Sequence, residues 1–403
     1  MTEELSRPLA DFPAPRACPF QPPAEHELLR REHRVFRVHL PSDQTALLVT
    51  RHADARKALE DPRLSADMSR ANFPMLRARP VDSPIKGTFM RADGAQHLRV
   101  RRMLNREFTV RRAESLRPLA EQVVDERLDA MLAYGPGVDL VEQFALPIPS
   151  AVICRMMGVP VTDNEIFQRN ARRMVNTLND PQDVQAAAGE LYAYLGALTK
   201  EKMADPGDDL ISRLLAGQVE VGDMEMPEFL SIVMILLIGG HETTGSMIAS
   251  GVLTLLRNPG QLAALRADPS LIDNTVEELL RYLTVAQVGT FRVALADIEI
   301  GDTLVRAGEG VIFDLTSANH DDEVFAEPDS LNVARGNSRR HIAFSHGPHN
   351  CVGQSLARVE LTAALARLFD RFPDLALAVP EAELTYRPYT VGLAGVERLP
   401  VRW

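Results

Sequence analysis

Cys351 is the residue best suited to redox or metal chemistry, because it lies alone between Gly347 and Gly353, just ahead of a predicted helix over 356–372. The glycines permit close backbone approaches that a Cβ would block, as a loop pressed against a flat cofactor requires. A cysteine ahead of a helix N-terminus is favoured as a thiolate, because unpaired N–H groups and the helix dipole stabilise the negative sulfur. A lone cysteine is more often a buried structural residue in a turn, and that alternative holds for the residue taken by itself.

A second candidate is the run Gly239-Gly240-His241-Glu242-Thr243, which interrupts an otherwise apolar helical pattern over 227–256. Each glycine inside a helix costs roughly 0.5–1 kcal/mol relative to alanine, and a buried carboxylate costs more unless it is paired or hydrated. One interpretation is a helix kink with an ion-paired Glu242. The other is a groove for a small ligand, in which Thr243 holds a reacting group and Glu242 supplies protons.

Two further pairs of charged residues stand at helical spacing. Glu278 and Arg281 are three residues apart, and His97 and Arg101 are four apart, so each pair shares one helix face. Such pairs are usually exposed and contribute only roughly a few tenths of a kcal/mol, so neither pair identifies a site by itself.

The segments that must position these residues are mostly helical. Apolar residues recur at three- and four-residue spacing over 25–31, 52–60, 112–134, 185–203, 227–256, 272–283 and 356–372. Strand patterns are fewer: 35–40 with 47–50, 297–300 with 303–306, and a last hairpin within 385–403. The sequence predicts a mainly α fold with small β-sheets, in one domain over 1–403 with an extended N-terminal segment over 1–23.

Composition excludes several classes of protein. The 403 residues carry a formal net charge of −11, which argues against nucleic acid as the main partner. The N-terminal residues lack the apolar core of a signal peptide, and the apolar run 232–238 is too short to span a bilayer. The three cysteines, Cys18, Cys154 and Cys351, form no close pair, which is typical of a reducing cytosol. We expect a cytoplasmic monomer without a membrane partner.

The cysteine segment resembles the haem-binding loop of the cytochrome P450 family, F-x-x-G-x-H-x-C-x-G, which Phe344, Gly347, His349, Cys351 and Gly353 match. The run 239–243 is similar to the family's A/G-G-x-D/E-T signature. The resemblance covers nearly the whole chain and is greatest for soluble actinobacterial members. It implies the cytochrome P450 fold, in which haem lies between the long central helix and the helix that follows the cysteine loop.

The resemblance also implies roles for individual residues. Cys351 would be the axial ligand of the iron of haem b, with Phe344 packed beside it. Thr243 would hydrogen-bond bound dioxygen, and Glu242 would relay protons from bulk water. The remaining cofactor-binding residues implied are His97, Arg101, Arg292 and His349 at the haem propionates, and Gly347, Gly353, Gly239 and Gly240 where the backbone approaches the cofactor.

Structural roles and departures follow from the same resemblance. Glu278 and Arg281 match the family's E-x-x-R element, and Arg335 stands where the family usually has the third member, so these three are expected to anchor the fold rather than catalyse. Ser345 stands where the family commonly has glycine. Ala95 and Gln96 stand where the family usually has prolines ahead of His97, a departure that affects the shape of that loop and not the ligands.

The implied reaction inserts one oxygen atom of dioxygen into a natural product or a foreign small molecule, with electrons from NAD(P)H through a ferredoxin and ferredoxin reductase. A haem-thiolate enzyme with another outcome, such as oxidative coupling or peroxide-driven oxidation, is one alternative, and a haem-binding sensor is a second. Arg99, Arg102 and Arg106 are predicted to form part of a docking site for the acidic ferredoxin.

Residues in several segments are predicted to line the substrate pocket. Counting back along the helix from Thr243 places Ile235, Ile238 and Gly239 toward the substrate. We also expect four other residues to line the pocket: Gln287, Val288, Val391 and Gly392. The segment 69–91, which carries Arg77, Arg79, Asp82 and Lys86, is expected to be a mobile loop over the pocket.

Overall fold

The computed structural model describes residues 10–76, 88–175, 180–219, 222–287, 290–389 and 392–403. Most of this part is helical, as predicted. Its α-helices are Ala24–Glu32 (α1), His52–Leu59 (α2), Gly94–Glu107 (α3), Val110–Ser115 (α4), Arg117–Tyr134 (α5), Pro147–Met157 (α6), Asn164–Val175 (α7), Pro181–Ala204 (α8), Leu210–Leu214 (α9), Met226–Arg257 (α10), Pro259–Ala267 (α11), Ile272–Leu283 (α12), Leu315–Asn319 (α13) and Gln354–Arg371 (α14).

The strands are short, and they are Ala10–Asp11 (β1), Val35–His39 (β2), Thr45–Val49 (β3), Leu64–Ser65 (β4), Phe291–Ala294 (β5), Ile298–Ile300 (β6), Thr303–Val305 (β7), Gly310–Phe313 (β8), Ala376–Leu377 (β9) and Val401–Arg402 (β10). β2 pairs with β3, and β6 pairs with β7, and both pairs are antiparallel. The two strand pairs predicted ahead of the C-terminal hairpin are therefore confirmed. The predicted C-terminal hairpin is only partly right. Glu397 donates its backbone N–H to Thr385, but β10 pairs with β9, which precedes the predicted segment.

The chain divides into two compact units. The first comprises Met1–Arg102, Ser250–Gln354 and Tyr386–Gly395, and the second comprises Met103–Ala249, Ser355–Thr385 and Val396–Trp403. Compactness does not test whether each unit folds independently, so one domain over 1–403 stays a prediction.

The first unit is built around a six-stranded mixed sheet with the strand order β1-β2-β3-β8-β5-β4. Successive side chains of a strand point to opposite faces, and both faces of this sheet are covered. Val35 and Leu47 belong to one buried apolar cluster, whereas Phe36 and Leu48 belong to another. The sheet therefore forms the middle of the core of the first unit.

The predicted extended segment at the N-terminus takes part in this core. Among its described residues, β1 pairs in parallel with β2, and the Phe12 and Phe20 side chains are buried. Their burial removes apolar surface from water and fixes the segment, although its proline content predicts only extended backbone.

The second unit is mainly helical. Helix α5 packs on α6, and α7 packs on α8. Exposed ion pairs also connect α14 to α5, because Arg367 contacts Asp125 and Arg371 contacts Asp129.

Helix α10 matches the predicted helix over 227–256 to within one residue at each end, and it continues without a break through Gly239 and Gly240. By length and composition it could cross a membrane, but 78% of its most apolar stretch is buried inside the protein. An apolar helix that is buried in this way belongs to a protein core.

Candidate active site

The cysteine loop, residues 344–353, lies in the first unit. Its backbone is closed by the Cys351 N–H, which donates to the Phe344 carbonyl oxygen at 2.8 Å. Cys351 is exposed, and α14 begins three residues later at Gln354. The buried structural cysteine in a turn, which was the alternative for this residue, does not match this exposure.

Two residues of the loop have left-handed backbone conformations. Gly347 has φ of 72°, and a Cβ at this position would overlap the Leu59 carbonyl oxygen, so only glycine fits. Ser345 has φ of 61° and is therefore strained. The departure from glycine at Ser345 thus retains the loop conformation at a cost in free energy.

His349 of the loop stacks on His97 of α3. The two ring centroids are 3.9 Å apart, with an interplanar angle of 24°. His97 is buried and His349 is half-buried. Stacked imidazoles that are both protonated would repel each other, and burial disfavours the charged form further. Burial accordingly lowers the pKa of His97 to about 4 and that of His349 to about 2.

Arg101 and Arg292 lie close to this histidine pair. The Arg101 guanidinium donates to the Asn350 Oδ1 at 2.6 Å, whereas the Arg292 guanidinium donates, among the described residues, to the neighbouring Phe291 carbonyl oxygen at 2.8 Å. Both arginines are more than nine-tenths buried. Burial, followed by the charge of Arg91, lowers the pKa of Arg292 to about 10. We call His97, Arg101, Arg292, His349 and Arg91 the cation cluster.

The catalytic residues predicted on α10 lie in the second unit. The Thr243 hydroxyl donates to the Gly239 carbonyl oxygen at 2.8 Å, one helical turn back. A Cβ at Gly239 would meet no heavy atom within 4 Å, so this glycine faces open space, and Gly240 faces Ile153. Glu242 is 3% exposed, and its Oε1 lies 3.7 Å from the Nδ1 of His241.

One residue of this region gives no signal in the sequence. A Cβ at Gly245 would lie 2.7 Å from the Leu146 Cδ2 and 3.2 Å from the Ala145 carbonyl oxygen. Gly245, two residues after Thr243, therefore permits α10 to approach the π-helical turn Val141–Ala145 closely.

The three residues predicted to be structural form a buried charge triad in the first unit. Both guanidinium groups contact the Glu278 carboxylate: Arg281 at 2.8 and 2.9 Å, and Arg335 at 3.0 Å to each oxygen. Their other N–H groups donate to backbone carbonyl oxygens of Asn319, Ala326, Glu327, Pro328 and Ser330. A buried carboxylate with two arginines and a full set of acceptors is a structural clamp.

Comparison with known proteins identifies the family. The family model described as Cytochrome P450 matches residues 182–375. Vitamin D3 dihydroxylase of Streptomyces griseolus is 46% identical over 396 residues, 97% of this chain and 96% of the relative. Pentalenic acid synthase of Streptomyces avermitilis is 44% identical over 409 aligned positions, and the match covers 100% of both chains. The crystal structure of GfsF has a TM-score of 0.91 at 43% identity, covering 98% of this chain and 100% of that one.

The chain belongs to the cytochrome P450 family. It is therefore a haem-containing monooxygenase that uses dioxygen, and the predicted fold is confirmed. Bacterial cytochromes P450 of this kind generally act on small molecules and receive their electrons from redox partners.

The residues of the first unit fit a haem. In the part of the chain that the structure describes, no carboxylate forms an ion pair with Arg91 or Arg292, and the Arg91 Nε is buried without a hydrogen-bond partner. Buried cations of this kind require an anion, and haem brings two propionates. The exposed Cys351 would supply a thiolate ligand to the haem iron.

The structure describes only some of the residues that were predicted to line the substrate pocket. Ile235 is buried and Ile238 half-buried on α10, and Gly392 is half-buried. Gln287 is buried, with its amide donating to the Pro19 carbonyl oxygen at 3.4 Å, so part of its polar group is already used. Val288 and Val391 lie outside the described residues, as do Arg77, Arg79, Asp82 and Lys86 of the predicted loop.

Proposed function

We propose that this cytochrome P450 hydroxylates or epoxidises a small organic molecule in the cytoplasm. One atom of dioxygen enters a C–H or C=C bond, and the other leaves as water, while NAD(P)H supplies two electrons. The names of two relatives, vitamin D3 dihydroxylase and pentalenic acid synthase, support a natural product or a foreign molecule as the substrate.

The observation that carries the proposal is the exposed Cys351 thiol on a loop that also bears His349 of the cation cluster. Haem ligated by a thiolate supplies dioxygen binding and cleavage of the O–O bond. Cys351 would hold the iron, and the cation cluster would hold the propionates. Phe344 tethers the loop through its carbonyl oxygen, which accepts the Cys351 N–H.

Thr243 acts in this proposal as an acceptor. A hydroxyl has one hydrogen and two lone pairs, and the hydrogen of Thr243 is already donated to Gly239. Its Oγ1 therefore accepts a hydrogen bond from a water molecule or another protonated group, and it orients that donor. The open space at Gly239 on the same face of α10 gives such a donor room.

Glu242 supplies the protons. It is buried next to Thr243, and its carboxylate can take a proton from bulk water and return it when the group held by Thr243 has lost one. Replacement by Gln keeps the shape of the side chain but removes the titratable oxygen. Glu242→Gln should slow product formation while leaving the substrate dissociation constant unchanged.

The electrons reach the haem, in this proposal, from NAD(P)H through ferredoxin reductase and ferredoxin. Arg102 and Arg106 of α3 are exposed, and Arg99 is half-buried. The double variant Arg102→Gln/Arg106→Gln should slow reduction by ferredoxin and weaken its salt dependence. Arg306→Gln, which removes an exposed arginine on another element, is the matched control. Unchanged reduction rates would refute this docking site.

The decisive experiment is the carbon monoxide difference spectrum of the reduced protein. Thiolate ligation should give the spectrum of a haem-thiolate complex, and Cys351→Ser should abolish it. A spectrum like that of an imidazole-ligated globin, or a preparation without porphyrin, would contradict the assignment. A natural-product library screened for high-spin shifts then identifies substrates. Turnover of a positive compound with hydrogen peroxide alone, but not with dioxygen and NAD(P)H, would favour the peroxide-driven alternative.

A further inference from the structure

Arg91 is a half-buried cation that neither the sequence motifs nor the family signatures assign. It ends the short 3-10 helix Phe89–Arg91, six residues before His97. Its guanidinium lies over the Phe73 ring, 5.4 Å from the centroid, and its Nε is buried with no hydrogen-bond partner among the described residues. No ion pair to Arg91 exists in the described part of the chain.

Arg91 lies close to other members of the cation cluster. Its positive charge contributes to the lowered pKa of both Arg292 and His349. Two guanidinium groups that lie near each other in a low-dielectric interior repel each other, and the Arg91 Nε has no acceptor among the described residues. Such an arrangement is stable only when an anion joins it, because a carboxylate accepts from both groups and cancels their repulsion.

The charges of the cluster can be counted. Arg91, Arg101 and Arg292 carry three positive charges, and Asp93 is the carboxylate that acts electrostatically on Arg292. The Asp93 oxygens accept from the Ala66 N–H at 2.9 Å and from the Ser65 hydroxyl, so they are already engaged by the end of β4 and the residue that follows it. Three positive charges and one negative charge leave a net charge of +2. Two haem propionates carry −2 and would neutralise this net charge. Without Arg91 the cluster would lack one of the two positive charges that the propionates require.

We propose that Arg91 binds a carboxylate in this cluster, and the charge balance assigns that carboxylate to a haem propionate. The proposal rests on the haem site described above. The cation–π contact with Phe73 uses none of the N–H groups of Arg91, so these can donate to the carboxylate. The same chemistry could take up the carboxylate of an acidic substrate, and the test separates the two sources.

The test measures how fast ferric haem leaves the purified holoprotein for an excess of apomyoglobin. Arg91→Gln removes the charge and the fork of donors, so haem loss should accelerate roughly tenfold or more. Arg91→Lys keeps the charge and should give an intermediate rate. Arg306→Gln, an exposed arginine in the same unit, should leave the rate unchanged. Urea unfolding of the same holoproteins, followed by far-UV circular dichroism, shows whether a change in haem loss merely reflects a less stable fold.

The second arm uses dodecanoate as a carboxylate probe and reads its dissociation constant from the shift in haem spin state. Faster haem loss in Arg91→Gln, with rescue by Arg91→Lys, supports the propionate. Unchanged haem loss with at least tenfold weaker dodecanoate binding overturns the propionate and assigns the carboxylate to the substrate. No change in either measurement overturns the proposal. A wild-type protein without a thiolate carbon monoxide spectrum would instead refute the haem-thiolate assignment, so the two failures are distinguishable.

Discussion

The first unit buries two arginine-rich clusters, and the difference between them lies in where their charges are balanced. In the charge triad, Glu278 faces Arg281 and Arg335 at 2.8–3.0 Å, and the remaining donors reach backbone carbonyl oxygens. In the cation cluster, Arg91 and Arg292 have no acidic partner among the described residues, and two imidazoles are stacked beside them with strongly lowered pKa values.

The comparison separates groups that hold the fold from groups that hold a ligand. A buried charge is stable only when it is paired and hydrogen-bonded. The triad satisfies this condition within the chain, so its stability does not depend on the cofactor. In the cation cluster the described part of the chain supplies one nearby carboxylate, Asp93, for three arginines, and the proposed haem propionates would supply the remaining anions. The same residue type, arginine, is therefore paired within the chain in one place, and in the other it would bind a ligand under the proposed function.

The largest effect is expected in the triad. Glu278→Ala leaves two buried guanidinium groups without their carboxylate, and the free energy of unfolding should fall by about 3–5 kcal/mol. The loss should be seen by urea unfolding with and without bound haem. The control is Glu299→Ala, because Glu299 is exposed and its removal should change stability by less than about 0.5 kcal/mol. Equal effects of both variants would mean that the triad is not a clamp.

A change in the cation cluster should depend on haem. Arg292→Gln should destabilise the holoprotein by about 1.5–3 kcal/mol, because a charge-assisted bond to a propionate is lost. In the haem-free protein the same substitution relieves a buried unpaired charge and should be neutral or stabilising. Thermal unfolding of both forms measures the difference. A loss of the same size in both forms would place Arg292 with the structural arginines.

The pH dependence of the haem-free protein should report His97. Its pKa is about 4 in the folded protein and 6.5 for an ordinary histidine. Between these values the unfolded chain binds a proton that the native state does not, so the free energy of unfolding decreases as the pH falls from about 6.5 to about 4. The slope is at most about 1.4 kcal/mol per pH unit for one group.

His97→Gln should reduce the slope of this part of the profile in urea titrations, and the stacked His349, whose pKa is lowered to about 2, accounts for a further part of the slope. In the holoprotein a propionate next to His97 would favour the charged imidazole, so the dependence on pH should be weaker there. Identical slopes for the wild type and His97→Gln would show that another group governs the profile.

The smallest effect is expected at Ser345, on the loop that joins the cysteine to the cation cluster. Its φ of 61° is unfavourable for any residue with a Cβ. Ser345→Gly should raise the free energy of unfolding by about 0.5–1 kcal/mol, since relief of strain exceeds the added entropy of the unfolded chain. Ser69→Gly is a control in which backbone freedom increases at an exposed site, and it should not stabilise the protein.

Several parts of the fold and site could be predicted from the sequence because they depend on local pattern. The apolar stretch of α10, the i,i+3 pair Glu278 and Arg281, and the glycines around Cys351 are each visible within a short window. Arg91 and Gly245 were missed for the opposite reason. The role of Arg91 depends on Arg292, two hundred residues later, and that of Gly245 depends on the close approach of residues 145–146.

The residue types and their spacing alone determined that a thiol, an acid next to an alcohol, and a set of basic residues were available, because chemistry and helical periodicity are local properties of a chain. Tertiary structure decided which of those charges are balanced. Pairing depends on which segments meet in a low-dielectric interior. Two arginines that look alike in the sequence differ once one donates to the Glu278 carboxylate and the other lies near the cation Arg91 and donates to no carboxylate of the described residues.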